Sequence, residues 1–557
     1  MGKGTGYSIK NASKKLFQLI NLEKKEVGYI YFFAILTGLI QLSLPLGIQA
    51  IIGLLFGGLL SASLVVLITF VVAGVLMSGI MQIMQMRVTE NIQQRIFTRL
   101  TFAYAYRIPK IDLISIDNYY LPELVNRFFD TTSLQKGLSK LLLDIPTASI
   151  QIIFGLLLLS FYHPAFAVFG FILLLFILIV IYWSGEKGLN SSIEESDYKY
   201  KVAHWLEEIS RAIKTFKFFQ VHQLHMKKID ELTLGYLKAR RSHFEVLVFQ
   251  YRSLVGFKVL ITAMMLIIGT LLFLDQKINL GQFIAAEIII IAVLNSVEKL
   301  IISLETVYDV LTAIEKLDNV LQKPHDSEAN TMAVQSVEMK HGINLNIRNL
   351  SFSFHGKKMI LDGISFDVKA GEKVCLKGAE GSGKTTLIRI LSGLYTGYEG
   401  QVHVNGIPLH NISANEWRSS IAVFFAQEEL FNGTLLENLT LGNENINSEK
   451  ITEICEMVGL ETFINSQKEG YYTVLDPQGQ KLSYNVVQKI LIARCFLIKP
   501  LLLIMENGWQ GIEKEFRERI LDKLINDKSF SLIAISELEE LTSACDNVIT
   551  ISEGKII

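Results

Sequence analysis

Val374-Cys375-Leu376-Lys377-Gly378-Ala379-Glu380-Gly381-Ser382-Gly383-Lys384-Thr385-Thr386-Leu387-Ile388-Arg389-Ile390-Leu391 decides how the C-terminal half of this chain folds. An apolar run enters a G-x-x-x-x-G-K-T segment and a second one leaves it, which places the segment at a strand-to-helix junction. Its glycines let backbone N–H groups close around the β- and γ-phosphates of a nucleotide, at a helix N-terminus whose dipole favours anions. Lys384 is expected to reach the phosphate oxygens and Thr385 to hold Mg2+ through its hydroxyl. Gly378, Ala379, Glu380, Gly381, Ser382, Gly383 and Thr386 complete the expected cradle for ATP. A glycine-rich loop without a ligand is the plain alternative.

Outward from the loop, short alternating strands begin near Gly342, for example Leu345-Asn346-Ile347-Arg348 and Ser351-Phe352-Ser353-Phe354. Strands alternating with helices predict an α/β nucleotide-binding domain. Upstream of about residue 310 the character changes to long apolar stretches, and six spans of near 20 residues follow from the bilayer thickness. They fall at 28–52, 59–84, 141–161, 164–184, 254–274 and 280–304. The predicted fold is therefore an all-α transmembrane domain followed by an α/β P-loop domain. The segmentation is 1–26 for an N-terminal surface helix, 27–310 for the membrane domain, 311–340 for a linker and 341–557 for the nucleotide domain.

Charge sets the expected orientation. Lys3, Lys10, Lys14, Lys15, Lys24 and Lys25 precede the first span, and the long connections 85–140 and 185–253 are rich in Lys and Arg. The short connections at Tyr162-His163 and Asp275-Gln276-Lys277 hold almost none, so both termini and both long connections are expected in the cytosol. Each long connection has room for two helices extending beyond the bilayer. Tyr119-Tyr120-Leu121-Pro122-Glu123-Leu124 and Glu207-Glu208-Ile209-Ser210-Arg211-Ala212-Ile213-Lys214 read as short transverse helices at their turns. Lys14-Lys15-Leu16-Phe17-Gln18-Leu19-Ile20 reads either as a helix on the inner membrane surface or as an ordinary solvated helix. Glu287, within the sixth span, either lines a substrate path or pairs with Lys258 of the fifth.

Of the 557 residues half are hydrophobic and 19% are charged, with mean hydropathy +0.36 and a net charge of −1. That balance supplies no basic field for nucleic acid, and none is expected as a partner. Cys375, Cys455, Cys495 and Cys545 form no C-x-x-C pair and read as isolated buried thiols rather than a disulfide framework or zinc site.

Six spans with long cytosolic helices, followed by a P-loop domain, resemble the half-transporters of the ABC exporter family along essentially the whole chain. Phe354 stands where the family places an aromatic that stacks on adenine. Gln427, in Phe424-Phe425-Ala426-Gln427-Glu428, matches the glutamine that touches Mg2+ and couples to the membrane domain. The resemblance implies ATP and Mg2+ as cofactors, with Thr385, Gln427 and Glu506 toward the metal. It also implies a second half-transporter as partner, within the lipid bilayer of a bacterial inner (cell) membrane, and an exported substrate of peptide or protein class.

The sequence then departs from the family. Its Leu-Ser-Gly-Gly-Gln signature reads Leu482-Ser483-Tyr484-Asn485-Val486, keeping only Ser483 for contact with the partner's nucleotide. The Asp-Glu that ends the second acidic motif reads Glu506-Asn507, and the switch histidine position falls on Glu537. Glu506 still serves a metal, but Asn507 has no useful basicity where a catalytic Glu belongs. A carboxylate at 537 would repel a γ-phosphate. No intact catalytic set is expected. The chain reads as an ATP-binding exporter subunit with weak or absent hydrolysis, heterodimeric in preference to homodimeric. The alternative is a nucleotide-binding pseudo-ATPase module that regulates or scaffolds a partner without pumping.

Overall fold

A computed structural model describes residues 9–56, 62–116, 121–218, 223–326, 342–354, 358–425, 429–507 and 512–557. Among them, six helical segments are long and apolar enough to cross a membrane: Lys24–Phe56, Ala62–Lys110, Leu121–Tyr162, Ala165–Arg211, Leu224–Leu274 and Leu280–Leu321. Four of them run 42 to 49 residues and one 51, about twice what a bilayer core requires, so the helices continue well past it. This is the expected six-span arrangement.

Contacts divide the chain into a membrane unit, extending through Lys323, and a C-terminal unit from Pro324 that also takes in the short segment beginning at Lys110. In the membrane unit, small residues let helices approach closely. A Cβ at Gly155 would lie 2.6 Å from Val293, and one at Gly137 2.5 Å from Val310. Without a hydrophobic driving force between spans, such close van der Waals contact is a main source of association. Ion pairs tie the N-terminal segments to this frame. Glu23, nearly buried, receives Arg95 at 3.0 Å and Arg99 at 2.8 Å, and Lys15 is paired with Glu315 and Asp318. The basic face of the Ile9–Leu22 helix is thus used in part inside the protein, while Phe17 and Leu22 are exposed.

Three sequence readings change here. Glu207–Arg211 forms the last turn of the Ala165–Arg211 helix rather than a transverse element, and the short helix follows at Ile213–Phe218. In the first connection the short helix is Leu121–Asn126, with Tyr119 and Tyr120 outside the described residues. Lys258 pairs with Glu298 at 2.5 Å. The pairing with Glu287 is therefore not made, and Glu287 has no ion-pair partner among the described residues.

The C-terminal unit holds a six-stranded sheet in the order Lys555–Ile556, Asn547–Ser552, Lys373–Lys377, Ser531–Ile535, Leu502–Glu506, Ile421–Phe424. All neighbours are parallel except the first pair. Its central strands are buried along their length, as a parallel sheet covered by helices on both faces requires. A second, antiparallel sheet carries Met359–Val368, Leu345–Ser353, Glu399–Val404 and Ile407–Pro408. Residues from Ile111 to Ile116 belong to this unit. Ile111 bridges His325, the Asp112 N–H donates to the Pro324 carbonyl at 3.0 Å, and Ile114 packs against the core.

Candidate functional site

The strand Lys373–Lys377 delivers the chain into the loop, and the helix Lys384–Leu391 leaves it. Lys373, buried beside the Phe530 ring at 3.8 Å, donates to the carbonyls of Asp527 and Phe530, both at 2.7 Å. Burial pushes its ammonium down to about 8, against the raising pull of Asp527 and Asp546. At the loop itself only glycine fits position 378. Its φ is +145°, and an added Cβ would stand 2.1 Å from the Ile551 carbonyl oxygen. At Gly383, with φ +102°, a Cβ would meet Leu361 and the Ile360 carbonyl within 2.9 Å. The loop is thus pinned against the C-terminal strands, and the Gly554 N–H donates to the Ser382 carbonyl at 3.2 Å.

Ala379, Glu380 and Gly381 form an exposed rim, while Ser382 is buried and Gly383, Lys384, Thr385 and Thr386 are half-buried. Lys384 Nζ donates to the carbonyls of Gly378 and Ala379, each at 2.7 Å, and lies 3.2 Å from Ser382 Oγ. The loop's own acceptors hold this ammonium over its mouth. Thr385 Oγ1 donates to Glu506 Oε1 at 2.5 Å, across 121 positions of sequence. A hydroxyl and a carboxylate meeting at the end of a parallel strand are hard oxygen donors of the kind that suit Mg2+.

Asn507 follows Glu506 with φ +27°, and its N–H donates to the Ile535 carbonyl at 3.0 Å. Strand pairing sets Glu506 opposite Ile535, so the chain reaches the exposed Glu537 two residues beyond that partner. Asn507 and Glu537 therefore leave neighbouring strands at the same end of the sheet. Phe354 is half-buried and lies edge-on to Phe352 at 5.1 Å and to Tyr395 at 5.4 Å. The Tyr395 hydroxyl accepts from Arg389 of the loop helix at 2.8 Å. Sequence reasoning found the aromatic and missed the Tyr395–Arg389 link that ties it to the loop helix. Gln427 lies outside the described residues.

Ser483 belongs to a different element. It caps the helix Tyr484–Leu497, its Oγ accepting from the Val486 N–H at 3.4 Å, and among the described residues no hydrogen bond joins it to the loop. Tyr484 is 55% exposed at the first helical position. Cys375, on the strand that enters the loop, lies with its Sγ 3.9 Å from the Ser536 carbonyl, and the neighbouring Cys545 holds the Cys375 thiol below its ordinary value while Cys375 holds the Cys545 thiol above its own. Of the four thiols expected to be buried, Cys545 is half-buried. All four cysteines are free.

Comparison with known proteins follows the same division. The family described as ABC transporter matches residues 361–507, and the family described as ABC transporter transmembrane region matches residues 27–297. The microcin-J25 export ATP-binding/permease protein McjD of Escherichia coli is 29% identical over 285 residues, 51% of this chain and 48% of that protein. This chain's match thus spans less than two thirds of that relative's length. The pediocin PA-1 transport/processing ATP-binding protein PedD of Pediococcus acidilactici is 24% identical over 561 residues, 99% of this chain and 76% of that protein. A solved bacterial Atm1-family ABC exporter with ATP bound superposes with a TM-score of 0.82 at 16% identity, covering 96% of this chain and 94% of that one. At that identity the likeness speaks for the fold.

Proposed function

Because the chain belongs to the ABC transporter family, as an exporter half-transporter that joins a transmembrane region to an ATP-binding domain, we propose that it is the hydrolytically weakened subunit of an ATP-coupled exporter. The protein is an integral, multi-pass membrane protein. The observation that carries the proposal is the contrast within one strand end: Thr385 and Glu506 in contact, followed at once by Asn507.

ATP binds with its phosphates in the Gly378–Thr385 loop, where Lys384 supplies positive charge and the backbone N–H groups supply donors. Thr385 and Glu506 would hold Mg2+, whose charge would offset that of the phosphates; Gln427 would join them. Phe354 offers a π face toward the adenine. Beyond binding, the chain contributes little chemistry. Asn507 accepts a hydrogen bond but takes no proton, Glu537 sets a carboxylate where a donor is wanted, and Tyr484 sets bulk where glycine would allow close approach. Ser483 remains for contact with the partner's nucleotide.

In a homodimer both composite sites would combine these defects, so a heterodimer with a better-equipped second half-transporter is the favoured assembly. The location is a bacterial inner membrane with both termini in the cytosol. One named relative is a microcin-J25 export protein and the other a pediocin PA-1 transport/processing protein, and a peptide or protein is the proposed cargo here. Mild-detergent purification of the tagged full chain, with mass spectrometry of what accompanies it, is expected to recover a second half-transporter with intact signature and catalytic Glu. Recovery of this chain alone would contradict the heterodimer. Failure of the reconstituted complex to move any peptide would favour the regulatory module over the exporter.

A further inference from the structure

Phe354 lies one residue beyond the strand Leu345–Ser353, whose last ladder partners are Ser353 and Met359. Strand pairing therefore stops just short of the ring proposed to stack on adenine. Other rings take over its placement. Phe352, two residues back and so on the same face of the strand, is buried and stacks on the buried Tyr395, with centroids 5.8 Å apart and planes 13° apart. Phe354 stands at 83° to both, 5.1 Å from Phe352 and 5.4 Å from Tyr395. A third ring perpendicular to two parallel ones is in the edge-to-face relation that aromatic quadrupoles favour, which sets its plane as well as its place.

Tyr395 is in turn fixed by the helix that leaves the phosphate loop. The chain folds back after Leu391, and the Arg389 carbonyl accepts the N–H groups of Leu394 at 2.9 Å and Tyr395 at 3.1 Å. The Arg389 side chain closes the same turn, donating to Tyr395 Oη at 2.8 Å with its guanidinium carbon 5.6 Å from the ring centre. Among the described residues Arg389 has no carboxylate partner, so this charged donor is directed at Tyr395 alone. Two further bonds brace the turn: Trp417 Nε1 donates to the Leu391 carbonyl at 2.9 Å, and Arg418 to the Gly393 carbonyl at 2.7 Å. Arg389 shares one helix with Lys384 and Thr385. A continuous series of contacts thus runs from the phosphate end of the site to Phe354.

We propose that Tyr395 is a positioning residue for the nucleotide base: it holds the Phe354 ring in the plane that adenine needs and, through Arg389, ties that ring to the helix carrying Lys384 and Thr385. The inference rests on the proposed ATP site for the identity of the ligand. A Tyr395 that only filled the core would weaken every ligand of the loop, and its effect would add to that of Phe354. A positioning Tyr395 acts through Phe354, so the two effects do not add.

The test is calorimetric titration of the full chain in phospholipid nanodiscs with Mg2+, using ATP and inorganic tripolyphosphate, which has no base. Phe354→Leu and Tyr395→Leu are each expected to weaken ATP about tenfold. The double variant is expected to be no weaker than Phe354→Leu, and tripolyphosphate to bind all four chains alike. Tyr395→Phe keeps the ring and loses the Arg389 bond; it is expected to restore all but about two- to threefold of the ATP affinity. Additive losses in the double variant would overturn the proposal. So would an equal weakening of ATP and tripolyphosphate by Tyr395→Leu. If Tyr395→Leu does not fold, the same cycle with Tyr395→Phe decides, since its smaller loss must vanish in the Phe354→Leu chain. ATP binding that Phe354→Leu leaves unchanged would overturn this inference while the nucleotide reading stands. Absence of ATP binding in the unmodified chain would instead sink the proposed function.

Discussion

Installing Asn507→Glu, Glu537→His, Tyr484→Gly, Asn485→Gly and Val486→Gln together is expected to raise ATP turnover by about 10²–10⁴-fold over the unmodified chain, the range that a positioned base contributes. Asn507→Glu alone is expected to recover little, for two separate reasons. Asn507 has φ +27°, a conformation that asparagine tolerates better than most residues, so a glutamate there is strained before it reaches any water. And Tyr484, 55% exposed on the signature helix, still presents a ring where backbone must approach phosphate. Val486→Gln has a local advantage, since a glutamine three residues after the Ser483 cap completes a capping box. Groups that act as a unit give non-additive gains, so the joint variant is the informative one. Turnover in the joint variant no higher than in Asn507→Glu would contradict the assignment of the signature positions.

Lys384→Ala is expected to weaken photolabelling by an ATP analogue about 10- to 100-fold, the effect of removing a charge-assisted contact. The side chain now bridges Gly378, Ala379 and Ser382, so its loss removes the charge over the loop mouth and frees two carbonyls that would face phosphate. Thr385→Ala separates these effects. It leaves the lysine contacts in place and removes only the hydroxyl that meets Glu506. It is expected to weaken labelling in Mg2+ and to leave metal-free labelling unchanged. Equal labelling of Lys384→Ala and the unmodified chain would count against nucleotide binding at this loop.

The loop was legible because phosphate binding needs its residues contiguous, and the six spans because hydrocarbon thickness imposes length. Glu506 was legible as the end of an apolar strand. What supports these groups was not. Ile551 and Gly554 press on Gly378 and Ser382 from more than 170 positions away. Such contacts follow from parallel strand order, which no local pattern encodes. The second transverse helix was misplaced for a local reason. Glu207–Lys214 contains no Gly or Pro to stop a helix, yet the chain turns at Ala212 (φ −97°, ψ 30°). Glu287 drew attention as a charge in a span, but a cavity beside it is lined by uncharged side chains.

The central claim, that the chain binds ATP at a complete loop yet turns it over poorly, is tested most directly by following bound radiolabelled ATP on the purified, unmodified chain in nanodiscs with Mg2+. The account predicts that the nucleotide recovered from the protein remains almost entirely ATP over many minutes. Rapid conversion to ADP, abolished by Lys384→Ala, would contradict it and mean that another residue supplies the base that Asn507 lacks.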